Sequence, residues 1–117
     1  MAVIDTKNAD TGPSAKLPEV FDAGRVEDLP HGNSKTIDLP EGRELALFNV
    51  NGEFYAIENF CPHQGAPLSN GLLCEYVIEC GLHGWQFDVR TGECLTVLEK
   101  LETYEVAIEG DRVKVLI

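Results

Sequence analysis

The chain has 117 residues, 44% of them apolar, which is enough for one domain with its own core and too little for two. No apolar run approaches the ~18 to 20 residues that span a bilayer, and the start MAVIDTKNADTG lacks the features of a signal peptide, so we expect a soluble cytoplasmic protein without a membrane partner. Twenty acidic against nine basic residues give a net charge of −11, which argues against nucleic acid as a partner and suits either a basic docking partner or solubility alone.

The beginning of the chain differs in composition from the rest. Residues 1–17 are polar and rich in turn-forming residues without an apolar period, and they predict a flexible N-terminal extension. From residue 18 the sequence changes to short segments of β-forming residues separated by Gly, Pro and Asn. The first two such segments, EVFDAG at 19–24 and SKTIDL at 34–39, are interpreted as strands.

Two hairpins are predicted further along the chain. ELALFNV (44–50) and EFYAIEN (53–59) flank an Asn-Gly pair, in which both residues tolerate positive φ. TYEVAIEG (103–110) alternates apolar and polar residues, and RVKVLI follows it as the partner strand of a second hairpin. LTVLEKLETY (95–104) is a candidate for a helical turn. The whole predicts an all-β fold, an antiparallel barrel or sandwich.

Between the hairpins, from residue 60 to about 90, the composition changes to Cys, His, Gly and Pro. The pattern is C-x-H (Cys61, His63), then sixteen residues, then C-x-x-H (Cys80, His83). Four cysteines in a chain without a secretion signal predict metal ligation or free thiols rather than disulfides. Two thiolates and two imidazoles form a ligand set for a soft or borderline metal, and the neighbouring glycines let the backbone wrap closely around it.

Two kinds of metal site are compatible with this ligand set. A structural zinc site can use two Cys and two His, but its ligands usually come in pairs separated by two or more residues, often Cys with Cys and His with His. Here each pair is mixed, which suits a centre of two metal atoms to which each loop gives one Cys and one His. A Rieske-type [2Fe–2S] centre has this composition, and the pattern favours it over zinc.

With these residues the sequence resembles the Rieske ferredoxins, small proteins that serve bacterial aromatic-ring oxygenases. The likeness runs from about residue 19 to 117 and is sharpest in CPHQGAPLSNG and CGLHGWQFDVRTG. It implies one [2Fe–2S] cluster per chain, in which Cys61 and Cys80 bind one iron while His63 and His83 bind the other.

The resemblance also implies a fold and its division. The expected structure is an all-β Rieske fold, in which a base of antiparallel strands, a sandwich or barrel, carries an inserted cluster-binding subdomain. The Rieske domain would span residues 18–117, and the subdomain would lie near residues 60–97.

The resemblance further implies a low reduction potential. Rieske proteins of cytochrome bc complexes carry an additional Cys in each cluster loop, where this chain has Ala66 and Leu82. They also present a Ser and a Tyr that donate hydrogen bonds to cluster and ligand sulfurs, where this chain has Trp85 and Phe87. Without those bonds the reduced state is less stabilised, and the negative chain charge acts in the same direction, so we expect the low end of the range of roughly −150 to +300 mV.

A carrier is expected rather than an enzyme. A Rieske oxygenase needs a second iron held by two His and a carboxylate, and of the three histidines only His31 remains after the cluster is ligated. The resemblance implies a carrier in aromatic hydrocarbon catabolism, taking single electrons from a flavin-dependent ferredoxin reductase to a terminal oxygenase, and we expect a monomer. The alternatives are a small Rieske subunit of another reductase, such as a nitrite-reductase-like system, and a zinc-stabilised interaction module.

Several residues remain outside the ligand pattern. Cys74 and Cys94 are expected to be small buried or half-buried apolar side chains, and His31, in LPHGNS, is expected to be a solvated loop residue. Trp85 is either a docking contact or a packing anchor. Rieske ferredoxins commonly cover the cluster with a third loop that contains prolines, whereas TGECLTVLEKLETYEV has none. Candidates for the docking rim are Pro62, Gln64, Pro67, Leu82 and Trp85.

Overall fold

The computed structural model describes residues 19–61, 67–81 and 84–117, so that the predicted N-terminal extension lies outside them. The strands are β1 (Val20–Arg25), β2 (Ser34–Asp38), β3 (Glu44–Val50), β4 (Glu53–Glu58), β5 (Leu72–Cys74), β6 (Val77–Glu79), β7 (Gln86–Asp88), β8 (Thr103–Tyr104), β9 (Val106–Glu109) and β10 (Arg112–Leu116). Short 3₁₀ turns lie at Val26–Asp28, Pro40–Gly42 and Leu68–Asn70. No described helix is long and apolar enough to cross a membrane. The expected all-β fold is confirmed.

Both predicted hairpins are present. Asn51 and Gly52 join β3 to β4 with φ of 55° and 87°, the left-handed values that their side chains tolerate. In this hairpin Phe48 lies opposite Tyr55. The second hairpin joins β9 to β10, and it turns at Gly110 with φ of 63°. The two strands expected before the first hairpin are also found, as β1 and β2.

The base of the fold is formed by two antiparallel sheets. One has the strand order β2-β3-β4-β8 and the other has the order β9-β10-β1. Their facing side chains share one buried cluster, the base core, which includes Ala23, Ile37, Leu45, Leu47 and Val115. Burial of such a cluster, at roughly 25 cal/mol per Å² of apolar area, is the main force that holds the two sheets together.

Strand β3 is buried on both faces, and this explains its continuous apolar sequence. Leu45 and Leu47 point into the base core, whereas Ala46, Phe48 and Val50 point into a second buried cluster. We call this second cluster the loop core. Because alternate residues of a strand face opposite sides, one strand supports both halves of the molecule.

The third sheet, β5-β6-β7, is inserted in the chain between β4 and β8. It is a short antiparallel meander in which Leu73 lies opposite Ile78, and Ile78 lies opposite Phe87. Ile78 and Phe87 are fully buried and belong to the loop core together with Phe48 of β3. The inserted sheet is therefore packed onto the base through shared apolar side chains.

Two details differ from the sequence-based expectations. TYEVAIEG forms two strands rather than one, since Tyr104 pairs with Ala56 in the larger base sheet while Val106 pairs with Val115 in the other. The apolar alternation continues through this change of sheet and so conceals it. The helical turn considered in residues 95–104 is also absent. The N–H of Leu95 donates to the carbonyl of Gln86, and this hydrogen bond to a distant segment replaces the local bonds of a helix.

Candidate metal centre

The first predicted ligand loop begins directly after β4. Its ends are held together by an antiparallel bridge between Phe60 and Pro67 and by the N–H of Leu68, which donates to the carbonyl of Asn59. Cys61 is the first residue inside this closure and its side chain is fully buried. The loop thus leaves the sheet with Cys61 on the inner side.

The second ligand loop is the connection between β6 and β7. Glu79 and Gln86 are paired, and the N–H of Cys80 donates to the carbonyl of Trp85 at 2.7 Å. Gly84 has φ of 73°, which allows the tight return of the chain. Cys80 is 2% exposed, so it too lies inside, at the start of its loop.

The fold brings the two cysteines into one environment. Cys61 and Cys80 are both members of the loop core, with Ile57, Leu68 and Phe87 among their neighbours in that cluster. The other two predicted ligands, His63 and His83, lie outside the described residues, as do three candidates for the docking rim, Pro62, Gln64 and Leu82.

The donor chemistry of the described part fits a Rieske cluster. Two thiols sit in an apolar, water-excluded cluster, each at the start of a closed loop whose next residues include a predicted His. Thiolate ligands select soft metals such as the iron of iron–sulfur clusters. Within residues 19–61, 67–81 and 84–117 no group of three or more His, Cys, Asp or Glu side chains is arranged to hold a metal.

A close approach between the two loops was not anticipated from the sequence. Gly71, which follows the first loop, lies so near the carbonyl of Glu79 that a Cβ at this position would overlap it. Leu72 is paired with Glu79, the residue immediately before Cys80. The exit of the first loop is therefore in backbone contact with the entrance of the second. The signal in the sequence is a glycine within LSNGLL, but its partner could not be read from it.

The resemblance noted in the sequence places two aromatic residues where high-potential Rieske proteins are expected to have hydroxyl groups. Phe87 is fully buried in the loop core that contains both cysteines. Trp85 is partly buried and packs against the same cluster, as a packing anchor does. Pro67, also proposed for the rim, is partly buried.

The structure corrects one cysteine prediction. Cys74, expected to be buried or half-buried, is exposed at the end of the edge strand β5, because only alternate residues of β5 face the core and Leu73 does so. Cys94 is half-buried as expected, and its Sγ accepts a hydrogen bond from the N–H of Thr96. His31 is exposed in a turn, as expected, and its Nδ1 accepts from the N–H of Asn51 at 2.7 Å.

A charged and aromatic group flanks the inserted sheet. Arg90 forms an ion pair with Asp88 at 2.9 Å and lies over the ring of Tyr76, 4.2 Å from its centroid. The Arg90 guanidinium holds the pKa of the Asp88 carboxyl below its ordinary value. Tyr76 in turn packs edge to face on Tyr55, whose pKa is raised to about 12, first by burial and then by its hydrogen bond to Glu53.

Comparison with known proteins gives a consistent assignment. The family model for the Rieske [2Fe-2S] domain matches residues 19–106. The ferredoxin component of the naphthalene 1,2-dioxygenase system of Pseudomonas aeruginosa is 44% identical over 97 residues, which cover 81% of this chain and 92% of that protein.

Solved structures agree with this fold. A structure of the complex of reduced oxygenase and oxidized ferredoxin in carbazole 1,9a-dioxygenase contains a chain with a TM-score of 0.79 and 31% identity, covering 83% of this chain and 92% of that one. A putative NADH-dependent nitrite reductase small subunit from Mycobacterium tuberculosis has a TM-score of 0.80 at 21% identity, over 87% of this chain and 97% of that one. The second likeness shows the fold alone.

Proposed function

Because the chain belongs to the Rieske [2Fe-2S] domain family, we propose that it is a ferredoxin that delivers single electrons to a terminal aromatic-ring-hydroxylating oxygenase. The observation that carries this proposal is the burial of Cys61 and Cys80 in one core cluster, at the starts of two closed loops. The relative from P. aeruginosa, named as the ferredoxin component of a dioxygenase system, supports the choice of partner.

In this proposal Cys61 and Cys80 bind one iron, and His63 and His83 bind the other, in one [2Fe–2S] cluster per chain. The bound cluster supplies one-electron oxidation and reduction. Cys61 and Cys80 are 0% and 2% exposed, so water is excluded from their sulfur atoms. The closed loops hold both thiols in place, so that little reorganisation accompanies the change of charge.

The chain's role is that of a carrier and not of the oxygenase itself. With His63 and His83 assigned to the cluster, His31 is the one histidine left, and its Nδ1 accepts a hydrogen bond in the turn next to β4. Two His and a carboxylate, the usual set for a mononuclear iron, cannot be assembled from it. We infer that a flavin-dependent ferredoxin reductase supplies the electrons and that the carrier works as a monomer in the cytoplasm.

The buried side chain of Phe87 supports a low potential. Phe87 has no hydroxyl to donate to a sulfur, and it occupies the loop core fully buried. Hydrogen bonds to sulfur stabilise the added negative charge of the reduced state, so a position that cannot donate such a bond favours a lower potential. The net charge of −11 acts in the same direction. We place the midpoint near the lower limit of roughly −150 mV.

A redox titration of the anaerobically purified protein, monitored by visible and EPR spectroscopy, tests whether the chain is a Rieske ferredoxin. A coloured protein, whose reduced form gives an EPR signal with an average g near ~1.9, supports the ferredoxin function. Reoxidation of the reduced protein by an aromatic-ring oxygenase, and not by a nitrite reductase, distinguishes the two redox roles. A colourless protein containing zinc would overturn the proposal and leave the zinc-stabilised module.

A further inference from the structure

We propose that Asn59 is a positioning residue that fixes the first ligand loop, an inference that rests on the function proposed above. Asn59 is fully buried, and it lies two residues before Cys61. Burying a polar amide is unfavourable unless it is hydrogen-bonded, so its partners show what it does. They lie at the beginning of β3, at the exit of the ligand loop and, at a longer distance of 3.5 Å, at Thr36 of β2.

Both polar groups of the Asn59 side chain are engaged. Its Oδ1 accepts from the N–H of Ser69 at 2.9 Å, and its Nδ2 donates to Oε1 of Glu44 at 3.0 Å. The orientation of the amide is fixed by its partners, because a backbone N–H can only donate and a carboxylate can only accept.

The main chain of Asn59 repeats the same connections. Its N–H donates to the carbonyl of Glu44 at 3.3 Å, and its carbonyl accepts from the N–H of Leu68. Each side of Asn59 is thus bound twice, once by the backbone and once by the side chain. Asn59, at the entrance of the ligand loop, is thus bonded both to the exit of the loop and to the beginning of β3.

The exit of the loop is also tied to β2. Oγ of Ser69 lies 2.6 Å from Oγ1 of Thr36, and Oγ of Ser34 donates to the carbonyl of Ser69 at 2.8 Å. Asn59 is therefore the centre of a network that joins the base sheet to both ends of the loop. The geometry makes the position of Cys61, two residues further along, depend on this amide.

The test changes one hydrogen-bond donor. Asn59→Asp retains the oxygen that accepts from Ser69 but loses the N–H that donates to Glu44. It also places a second carboxylate next to the carboxylate of Glu44. The double variant Asn59→Asp with Glu44→Gln exchanges donor and acceptor across the same contact and leaves the net charge unchanged. Asn70→Asp is the matched control, because it adds the same charge at an exposed position of the 3₁₀ turn that follows the loop.

Two readouts are measured on the holoprotein below its melting temperature: the rate of cluster bleaching by an iron chelator and the EPR linewidth of the reduced state. We expect Asn59→Asp to bleach about tenfold faster, equivalent to about 1.4 kcal/mol, with a broader signal. The double variant should return most of the way to wild type, and Asn70→Asp should remain within about twofold of it.

The positioning role is overturned if Asn59→Asp lowers the melting temperature but bleaches like Asn70→Asp, or if the donor exchange gives no rescue. Should Asn59→Asp fail to fold, Thr36→Val decides, since it removes an exposed hydroxyl that lies 3.5 Å from Nδ2 of Asn59 and 2.6 Å from Oγ of Ser69. A bleaching rate equal to that of wild type then counts against the proposal. A wild-type protein without the EPR signal contradicts the proposed function instead, so the two failures are distinguishable.

Discussion

Cys61 and Cys80, which begin two different loops, are buried side chains of the same core cluster. Each follows a strand and lies at the contact that closes its loop. Cys61 comes directly after the bridge between Phe60 and Pro67, and the N–H of Cys80 itself donates to the carbonyl of Trp85. Two thiols are thereby held in one apolar setting. This relationship is the structural basis of the first prediction.

Replacing either buried cysteine by Ser should remove most of the cluster. Loss of an outer-shell partner already costs about 10- to 100-fold in metal affinity, so we expect Cys61→Ser and Cys80→Ser to lose at least about tenfold in bound iron. Iron content and visible absorbance measure this. Cys74→Ser is the control, because Cys74 is exposed, and it should retain the full cluster. Full iron content in Cys80→Ser would contradict the ligand assignment.

A hydroxyl added at Phe87 should raise the reduction potential. Phe87→Tyr places an O–H donor in the buried cluster that holds both cysteines, where it stabilises the reduced state. For a one-electron couple, about 1.4 kcal/mol of preferential stabilisation corresponds to roughly 60 mV. Phe54→Tyr, in a residue that packs on the base core, controls for the substitution itself and should leave the midpoint unchanged. An equal shift in both variants would show that no local bond is involved.

Gly92 should tolerate alanine much less well than Gly110. Both have positive φ, 81° and 63°, so alanine is strained in the left-handed region at either position. Only at Gly92 would the added Cβ overlap a backbone atom, the carbonyl oxygen of Leu101, whereas nothing lies within 4 Å at Gly110. We expect Gly92→Ala to lower the free energy of unfolding by about 2 kcal/mol more than Gly110→Ala. Urea unfolding measures it, and equal losses would disprove the steric explanation.

Asp22 should make stability depend on acid pH. Hydrogen bonds from Arg112 first, then from the N–H of Gly24, hold the pKa of its carboxyl well below the ordinary value. The folded state therefore binds the proton less readily than the unfolded chain. The stabilisation is complete above the unfolded pKa of about 3.9 and is lost as the pH falls from there through the folded value.

Asp22→Asn should accordingly be less stable than wild type at pH 7, with the difference shrinking below about pH 3.9. Because these contacts are exposed, added salt should also reduce the difference. The urea midpoint of each protein across this pH range is the measurement. Exposed Asp38, changed to Asn, serves as the control. A constant difference between wild type and Asp22→Asn at all pH values would rule out the carboxylate as its source.

The sequence by itself determined the all-β class, the hairpin at Asn51 and the candidate ligands. These features depend on local chemistry: an Asn-Gly pair readily adopts the positive φ that a two-residue hairpin turn requires, and a spacing of Cys and His is visible without a fold. The position of Cys74 could not be derived in the same way. A cysteine is compatible with either face of a short edge strand, and only the pairing of β5 with β6 decides which face is buried.

Tertiary structure alone decided how the two halves of the molecule are joined. TYEVAIEG carries one uninterrupted alternation, yet Tyr104 and Val106 belong to different sheets, because the alternation says which face is buried and not which strand lies alongside. Asn59 looks like a polar residue at the end of a strand. Its partners, Glu44 and Ser69, come together only when β3 and the exit of the ligand loop are in place. Contacts between distant segments have no periodic signal in a sequence, and for that reason the support of the predicted site became visible only in the folded chain.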